Sequence, residues 1–376
     1  MSKSDLHEDL VRSYEFLLGP LPKRKEFKQA LQETFPDTDL VVFNLLPPSG
    51  TMTMEKLEDA ASVVGMAAVA LREAVERMLD EGLAQTYTTD SARVYQRGSF
   101  ITLVETQIRK PNPSDLRSVC AQVFDVTIDG GTATSPTKTP SYRVVPYVAS
   151  VTRGAQLKQI DIEVVVPDPR RVLPLDVVTE IVRKQPLVAL SDCACRKAKA
   201  MVGKDCGHSV QTCLAFNRFA QALIRSGVAR QITHEEAIGI LKTCEEEGLV
   251  HNVSNCEDRI DFICNCCPCS CGILNSLKRG ETNGGAPSRY TVAYDESLCV
   301  LCETCVEVCP MDAVSIADGA KTIAHEKCIG CGLCVSSCLE GAVHLVMREN
   351  PPTIYRDPDA LWDQIIAEAS AAIGFD

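Results

Sequence analysis

Two stretches near the end of the chain share one cysteine spacing: CVLCETCVEVCP at 299–310 and CIGCGLCVSSCL at 328–339. Both read C-x2-C-x2-C-x3-C, and the likeness extends beyond the cysteines, since Ala313-Val314 has its counterpart in Ala342-Val343. A repeat of this length predicts two related halves around a shared apolar centre.

This spacing is typical of cysteines that bind 4Fe-4S clusters. Three thiolates in one tight turn can bind three irons of a cubane, and the fourth iron is reached by the last cysteine of the other motif. The sequence therefore predicts a bacterial-type ferredoxin domain over 286–347 with two clusters and crossed ligands. The first cluster would use Cys299, Cys302, Cys305 and Cys338, and the second Cys328, Cys331, Cys334 and Cys309. Zinc is a weaker alternative, because zinc sites are built from one or two short cysteine pairs.

A second field of cysteines lies upstream, between 189 and 274. Its densest parts are SDCACR at 191–196 and CNCCPCSCG at 264–272. Three uses remain open: a third iron–sulfur cluster, a structural zinc or a redox-active thiol pair. The candidate ligands are Cys193, Cys195, Cys206, Cys213, Cys266, Cys267, Cys269 and Cys271. Cys244 falls on an apolar helical stripe and is predicted to belong to a core.

The first part of the chain, 1–109, contains no cysteine and is predicted to hold a winged-helix-like domain. Thr53 can cap a helix over 54–64, a second helix over 67–81 ends at Gly82, and two strands follow at 83–87 and 93–100. The second helix carries Arg72 and Arg77 against four acidic residues, which is the wrong sign for DNA binding. We therefore expect a packing or docking module.

The remaining segments complete an α+β, multidomain fold class. A connecting region spans 110–188 and contains a predicted helix at 174–184; a cysteine-rich, mostly helical domain spans 189–277, and a tail with an amphipathic helix spans 348–376. The net charge of −12 favours a basic protein partner over nucleic acid. With no signal peptide and no long apolar run, the chain is expected to be cytoplasmic. Twenty cysteines in that compartment favour metal ligands over disulfides.

The order of these parts resembles the 4Fe-4S dicluster-domain proteins of anaerobic bacteria and archaea. The resemblance rests on CACR at 193–196, the helix EEAIGILKTCEEEGLVH at 235–251, NCCPCSCG at 265–272 and the paired motifs at 299–338. It implies an iron–sulfur protein that serves a partner oxidoreductase.

Three functions are compatible with these features. The first is an electron-transfer protein or subunit, whose redox partner is a ferredoxin or an oxidoreductase subunit. The second is an iron–sulfur oxidoreductase that acts on a small substrate at the central cysteines. The third is a redox-responsive DNA-binding regulator. An electron carrier or oxidoreductase subunit is favoured over a self-sufficient enzyme, because no acid–base constellation and no nucleotide-binding motif accompany the cysteines.

Overall fold

A computed structural model describes residues 5–47, 50–89, 91–130, 137–147, 177–281 and 283–373. Much of the predicted connecting region, 148–176, lies outside the described residues. Of the helix predicted at 174–184, residues 178–183 are helical and 174–176 are outside the described part.

The N-terminal part consists of helices and one small sheet. Its elements are α1 (Leu6–Leu18), α2 (Arg24–Thr34), α3 (Asp37–Leu45), β1 (Met52–Thr53), α4 (Met54–Val63), α5 (Ala68–Glu81), β2 (Ala84–Thr88), β3 (Arg93–Arg97), α6 (Phe100–Arg109) and α7 (Asp115–Gly130). The Thr53 side chain caps α4 by accepting from the Lys56 backbone N–H, and Gly82 ends α5 with φ of 80°. Both helices and both strands thus occur where the sequence predicts them.

One hydrophobic core joins this part to the helix over 194–201 in the cysteine-rich region. It extends from Leu10 to Phe124 and also includes Ala194 and Ala198. Because α7 supplies Leu116, Val123 and Phe124 to the same core, the cysteine-rich helix is anchored directly on the N-terminal part.

The cysteine-rich region contains alternating strands and helices. Its elements are β4 (Tyr142–Val144), α8 (Val178–Arg183), β5 (Val188–Asp192), α9 (Ala194–Met201), β6 (Gln211–Phe216), α10 (Asn217–Arg225), β7 (Ala229–Ile232), α11 (His234–Glu246), β8 (Val250–Ser254), β9 (Phe262–Cys266), α12 (Gly272–Lys278) and β10 (Gly285–Ala286). The seven strands form one sheet in the order β10-β4-β8-β9-β6-β5-β7. Only the β10–β4 pair among these described strands is parallel.

The expectation of a mostly helical central domain is therefore wrong. The central strands β5, β6 and β8 are buried along almost their whole length. A strand that is buried on both faces lacks the alternation of apolar and polar residues from which strands are recognised. These short, buried strands were thus hidden in the sequence.

The C-terminal part has the two related halves that the repeat predicts. Its elements are β11 (Tyr290–Tyr294), α13 (Thr304–Glu307), β12 (Val314–Ala317), β13 (Ala320–Ile323), α14 (Leu333–Ser336), β14 (Val343–Met347) and α15 (Pro358–Ile373). β11 pairs antiparallel with β14, and β12 pairs antiparallel with β13. None of the helices that the structure describes is both long and apolar enough to cross a membrane.

Candidate metal centres

Four cysteines line one cavity at the outer end of the C-terminal part. We call them the outer set: Cys299, Cys302, Cys305 and Cys338. They are the four that the crossed arrangement assigns to the first cluster. Lys321 also lines this cavity; burial alone would lower the pKa of its ammonium group, but its hydrogen bond with Cys299 raises the pKa overall. A cation therefore faces the thiolates.

A second cavity is lined by the inner set: Cys309, Cys328, Cys331 and Cys334. The Ala313 backbone N–H donates to Cys309 Sγ at 3.3 Å. Gly330, with φ of 65°, lies so close to the Tyr290 carbonyl that a side chain there would collide with it. Ser288 holds this turn by donating from Oγ to the Gly330 carbonyl at 2.8 Å. The inner turn is thus built on backbone contacts that only glycine permits. Four thiols around each cavity are the donor set that a 4Fe-4S cluster requires.

The inner set adjoins the central cysteines. Met311, Ile329 and Leu333 from the ferredoxin part belong to the same hydrophobic cluster as Cys266 and Cys271, and Cys309, Cys328 and Cys331 pack against that cluster. Ser336, in α14, also donates a hydrogen bond to Glu245 of α11. The two cysteine-rich parts of the chain therefore share one interface, and the inner set lies at it.

The structure separates the eight predicted central cysteines, together with Cys264, into two groups. The first, which we call the six-thiol row, gathers cysteines from β6, β9 and the N-termini of α9 and α12, each in side-chain contact with the next. In order along the row they are Cys193, Cys195, Cys271, Cys266, Cys264 and Cys213. The adjacent antiparallel strands explain one contact, because Leu214 pairs with Ile263 and this register sets Cys213 opposite Cys264.

The second group is the trio of Cys206, Cys267 and Cys269, whose three Sγ atoms all lie within 4.8 Å of one another. Cys206 comes from the loop between α9 and β6, and the other two from the turn after β9. On an extended segment, Cys267, Cys269 and Cys271 would share one face, as alternate residues of a strand do. The chain instead turns after Pro268, so that Cys271 begins α12 and belongs to the row.

Two buried arginines contact the sulfur atoms of these groups. Arg109 donates from Nη2 to Cys213 Sγ at 3.6 Å and from Nε to the Asp192 carbonyl at 2.8 Å. Arg196 donates from Nη1 to Cys267 Sγ at 3.8 Å and to the Asn265 carbonyl at 3.0 Å. Burial opposes the charge of Arg196, yet the neighbouring thiols Cys193 and Cys267 raise its pKa above the ordinary value. Each group thus has a guanidinium that can offset thiolate charge.

Sequence reasoning missed Arg109 and Cys264. Arg109 is distant from every cysteine along the chain, and no local pattern marks it. Cys264 did carry a signal, because it stands two residues before Cys266 on a strand and such residues share a face. Of the other basic residues near the first cysteines, Lys199 and Lys204 pair with Asp125 and Asp129 of α7 and not with sulfur.

The remaining polar and thiol groups near the centres have structural partners. His251 is buried, with Nδ1 at 2.6 Å from Asn265 Oδ1 and Nε2 at 3.3 Å from Glu245 Oε2. Cys120, Cys244 and Cys256 are each buried in a hydrophobic core, as the helical pattern predicts for Cys244. These three cysteines belong to neither central group.

A family model described as a 4Fe-4S dicluster domain matches residues 291–339. The chain carries a ferredoxin-type 4Fe-4S domain. This confirms the predicted ferredoxin-type domain and a mixed α+β fold class, whereas the winged helix stays a prediction. No solved structure matches the chain.

Similar curated proteins match short parts of the chain. An uncharacterized ferredoxin of Methanocaldococcus jannaschii is 40% identical over 52 residues, which are 13% of this chain and 34% of that protein. Electron transport protein HydN of Escherichia coli K12 is 41% identical over 54 residues, 14% of this chain and 31% of HydN. A formate dehydrogenase iron-sulfur subunit of Wolinella succinogenes is 30% identical over 95 residues, 23% of this chain and 48% of that subunit. The chain therefore spans from about a third to half the length of these relatives.

Proposed function

We propose that this chain is an iron–sulfur electron-transfer protein in which the outer and inner sets each hold one 4Fe-4S cluster. The proposal rests on the order in which the cysteine sets lie from the surface inwards. The outer set comes first, then the inner set, and then the six-thiol row across the shared hydrophobic cluster. Bound 4Fe-4S clusters take up and release single electrons. The interface between the inner set and the six-thiol row is shielded from water by apolar residues such as Met311, Ile329 and Leu333.

We assign a third 4Fe-4S cluster to the six-thiol row. In a cubane each iron takes one thiolate, so the ligand sulfurs stand apart around the cluster. Among the described cysteines of the row and of the two ferredoxin sets, no three Sγ atoms lie mutually within 4.8 Å. The row therefore lacks the tight grouping of a single-ion site, and it offers six thiolates where a cubane needs four. Arg109, against Cys213, would offset part of their charge.

The surface around the outer set is the proposed docking site for a redox partner. It exposes several large apolar side chains, with Val300 63% exposed and Leu339 93% exposed. Exposed apolar groups next to a redox site fit a protein partner, which buries them on docking. Because two relatives bear the names of an electron transport protein and of a dehydrogenase subunit, we propose an oxidoreductase or its electron carrier as that partner, in the cytoplasm.

The winged-helix-like segment is proposed to be a docking module within the chain. Arg225 of α10 forms ion pairs with Glu76 and Asp80 on α5, the would-be recognition helix. Both basic residues of α5 are already paired, Arg72 with Glu58 and Arg77 with Asp39. A helix engaged in this way offers little positive charge to DNA, which argues against the regulator hypothesis.

Anaerobic metal analysis and rapid reduction kinetics test the proposal. The wild-type chain should contain about twelve irons with as many sulfides. In Cys302→Ala the outer set loses a ligand, so a protein-sized electron donor should reduce the whole chain more slowly. In Cys331→Ala the cluster of the outer set should still be reduced at the wild-type rate, while the cluster of the six-thiol row should be reduced more slowly. Cys256→Ala, a buried cysteine outside all sets, is the control. Unchanged kinetics in both ligand variants would contradict the proposed order.

A further inference from the structure

The trio of Cys206, Cys267 and Cys269 differs in geometry from every other cysteine set in the described chain. Its three sulfurs lie within 4.8 Å of one another, and Cys206 Sγ is 3.9 Å from Cys267 Sγ. No three sulfurs of the outer set, the inner set or the row are grouped so closely. The ferredoxin sets thus provide an internal standard for cubane spacing, and the trio is tighter than that standard.

The spacing fits a single metal ion. Two sulfurs bound tetrahedrally to one zinc at about 2.3 Å are separated by about 3.8 Å, the edge of the tetrahedron. The distance of 3.9 Å between Cys206 and Cys267 agrees with this edge. Thiolates that bind different irons of a cubane have a cluster between them and stand further apart. The trio is therefore shaped for one ion rather than four.

The ligand set also selects the ion and leaves one position open. Three thiolates favour a soft or borderline ion such as zinc over magnesium or calcium. Among the described residues, no fourth histidine, cysteine or carboxylate atom lies within 4.8 Å of all three sulfurs. Cys269 is exposed, so solvent reaches the site, and Ser270 donates from Oγ to Cys206 Sγ at 3.4 Å. Three protein ligands with an accessible fourth position are typical of zinc sites that bind an exogenous molecule.

We propose that Cys206, Cys267 and Cys269 bind one zinc ion whose fourth position is open to solvent or a small ligand. Zinc has no redox chemistry, so this centre lies beside the electron-transfer sets without being one of them. Arg196, which contacts Cys267, would offset part of the charge of the three thiolates. The proposal does not depend on iron–sulfur electron transfer, because it concerns cysteines that belong to none of the proposed cluster sets.

Metal analysis of the full chain, purified without oxygen and supplied with both iron and zinc, tests the site. Wild type should contain about one zinc, and Cys269→Ser should lose most of it, at least about fivefold, with iron unchanged. Cys269 is exposed and lies in a turn, so the substitution spares the core. Cys244→Ser is the matched control: it is buried in the small core cluster with Cys267 but outside the trio, and its zinc content should equal that of wild type.

Cobalt substitution tests the open position. Cobalt bound in place of zinc should show thiolate-to-metal absorption and the visible bands of a tetrahedral site, and added imidazole should shift the visible bands. Insensitivity to imidazole would overturn the open position. Loss of about four irons in Cys269→Ser, or copper in place of zinc in wild type, would overturn the zinc assignment. Failure of the proposed function would look different: iron would be missing from wild type, with the zinc response to Cys269→Ser intact.

Discussion

Replacement of Gly330 by alanine probes how the inner set is built. An ideal Cβ at this position would lie 2.0 Å from the Tyr290 carbonyl oxygen and 2.3 Å from Ser288 Oγ. The first of these atoms belongs to the backbone of β11, so it cannot rotate away. Relief requires a shift of β11 or of the turn that carries Cys328 and Cys331, and either shift disturbs the inner set.

Gly341→Ala is a matched control in the same domain. Both glycines have φ of 65°, but a Cβ at Gly341 meets no atom within 4 Å. The left-handed backbone costs about 1–2 kcal/mol for an alanine at either site. Only Gly330→Ala adds overpacking, about 1–3 kcal/mol more. We therefore expect Gly330→Ala to be less stable than Gly341→Ala by about 1–3 kcal/mol.

The assay is anaerobic denaturation with guanidinium, followed by the loss of cluster absorbance, together with iron analysis of the purified variants. Gly330→Ala should show an earlier midpoint and a deficit of about four irons, those of the inner set. Gly341→Ala should retain its full iron content. Equal midpoints and equal iron in the two variants would refute the view that the Gly330–Tyr290 contact supports the inner set.

Three further perturbations address the docking surface, the buried arginine and the tail. The Leu339 side chain is 93% exposed, so Leu339→Glu should change the free energy of unfolding by less than about 0.5 kcal/mol. The same substitution should slow reduction of the clusters by a protein donor several-fold. An unchanged rate in stopped-flow measurements would exclude this surface as the docking site. Arg109→Met leaves the half-buried Glu105 without its partner and should cost about 1–3 kcal/mol in chemical denaturation. An unchanged free energy of unfolding would show that the ion pair is dispensable. Burial disfavours the charged form of Glu368, but hydrogen bonds from Gln364 and Thr139 outweigh it and lower its pKa to about 2 from 4.5. The stabilisation that ionised Glu368 provides is therefore complete above pH 4.5 and is lost as the pH falls towards 2. Glu368→Gln should remove this loss of stability at low pH. Hydrogen exchange of α15 measures it.

The ferredoxin-type domain could be predicted because its determinants are local. Each motif places three cysteines in one turn, and the short chain between the motifs leaves few ways to bring the fourth ligand across. The helices capped by Thr53 and ended by Gly82 were predictable for the same reason, since capping depends on residues a few positions apart.

The central region was not predictable in the same way. Its central strands β5, β6 and β8 are buried on both faces and carry no alternating pattern, so the sequence did not indicate the sheet. The contact of Arg109 with Cys213 depends on α6 packing beside the end of β5. No residue near either position in the chain indicates this contact.

The cysteine spacings establish a ferredoxin-type 4Fe-4S domain and a second cysteine field that precedes it. The grouping of the cysteines within that field depends on how the chain folds. Adjacent Cys266 and Cys267 belong to different groups because a strand ends and a turn begins between them, whereas Cys206 joins Cys267 from a distant loop. Spacing along the chain specifies ligands that share one turn; ligands that meet across a sheet depend on strand order and register, which long-range packing sets.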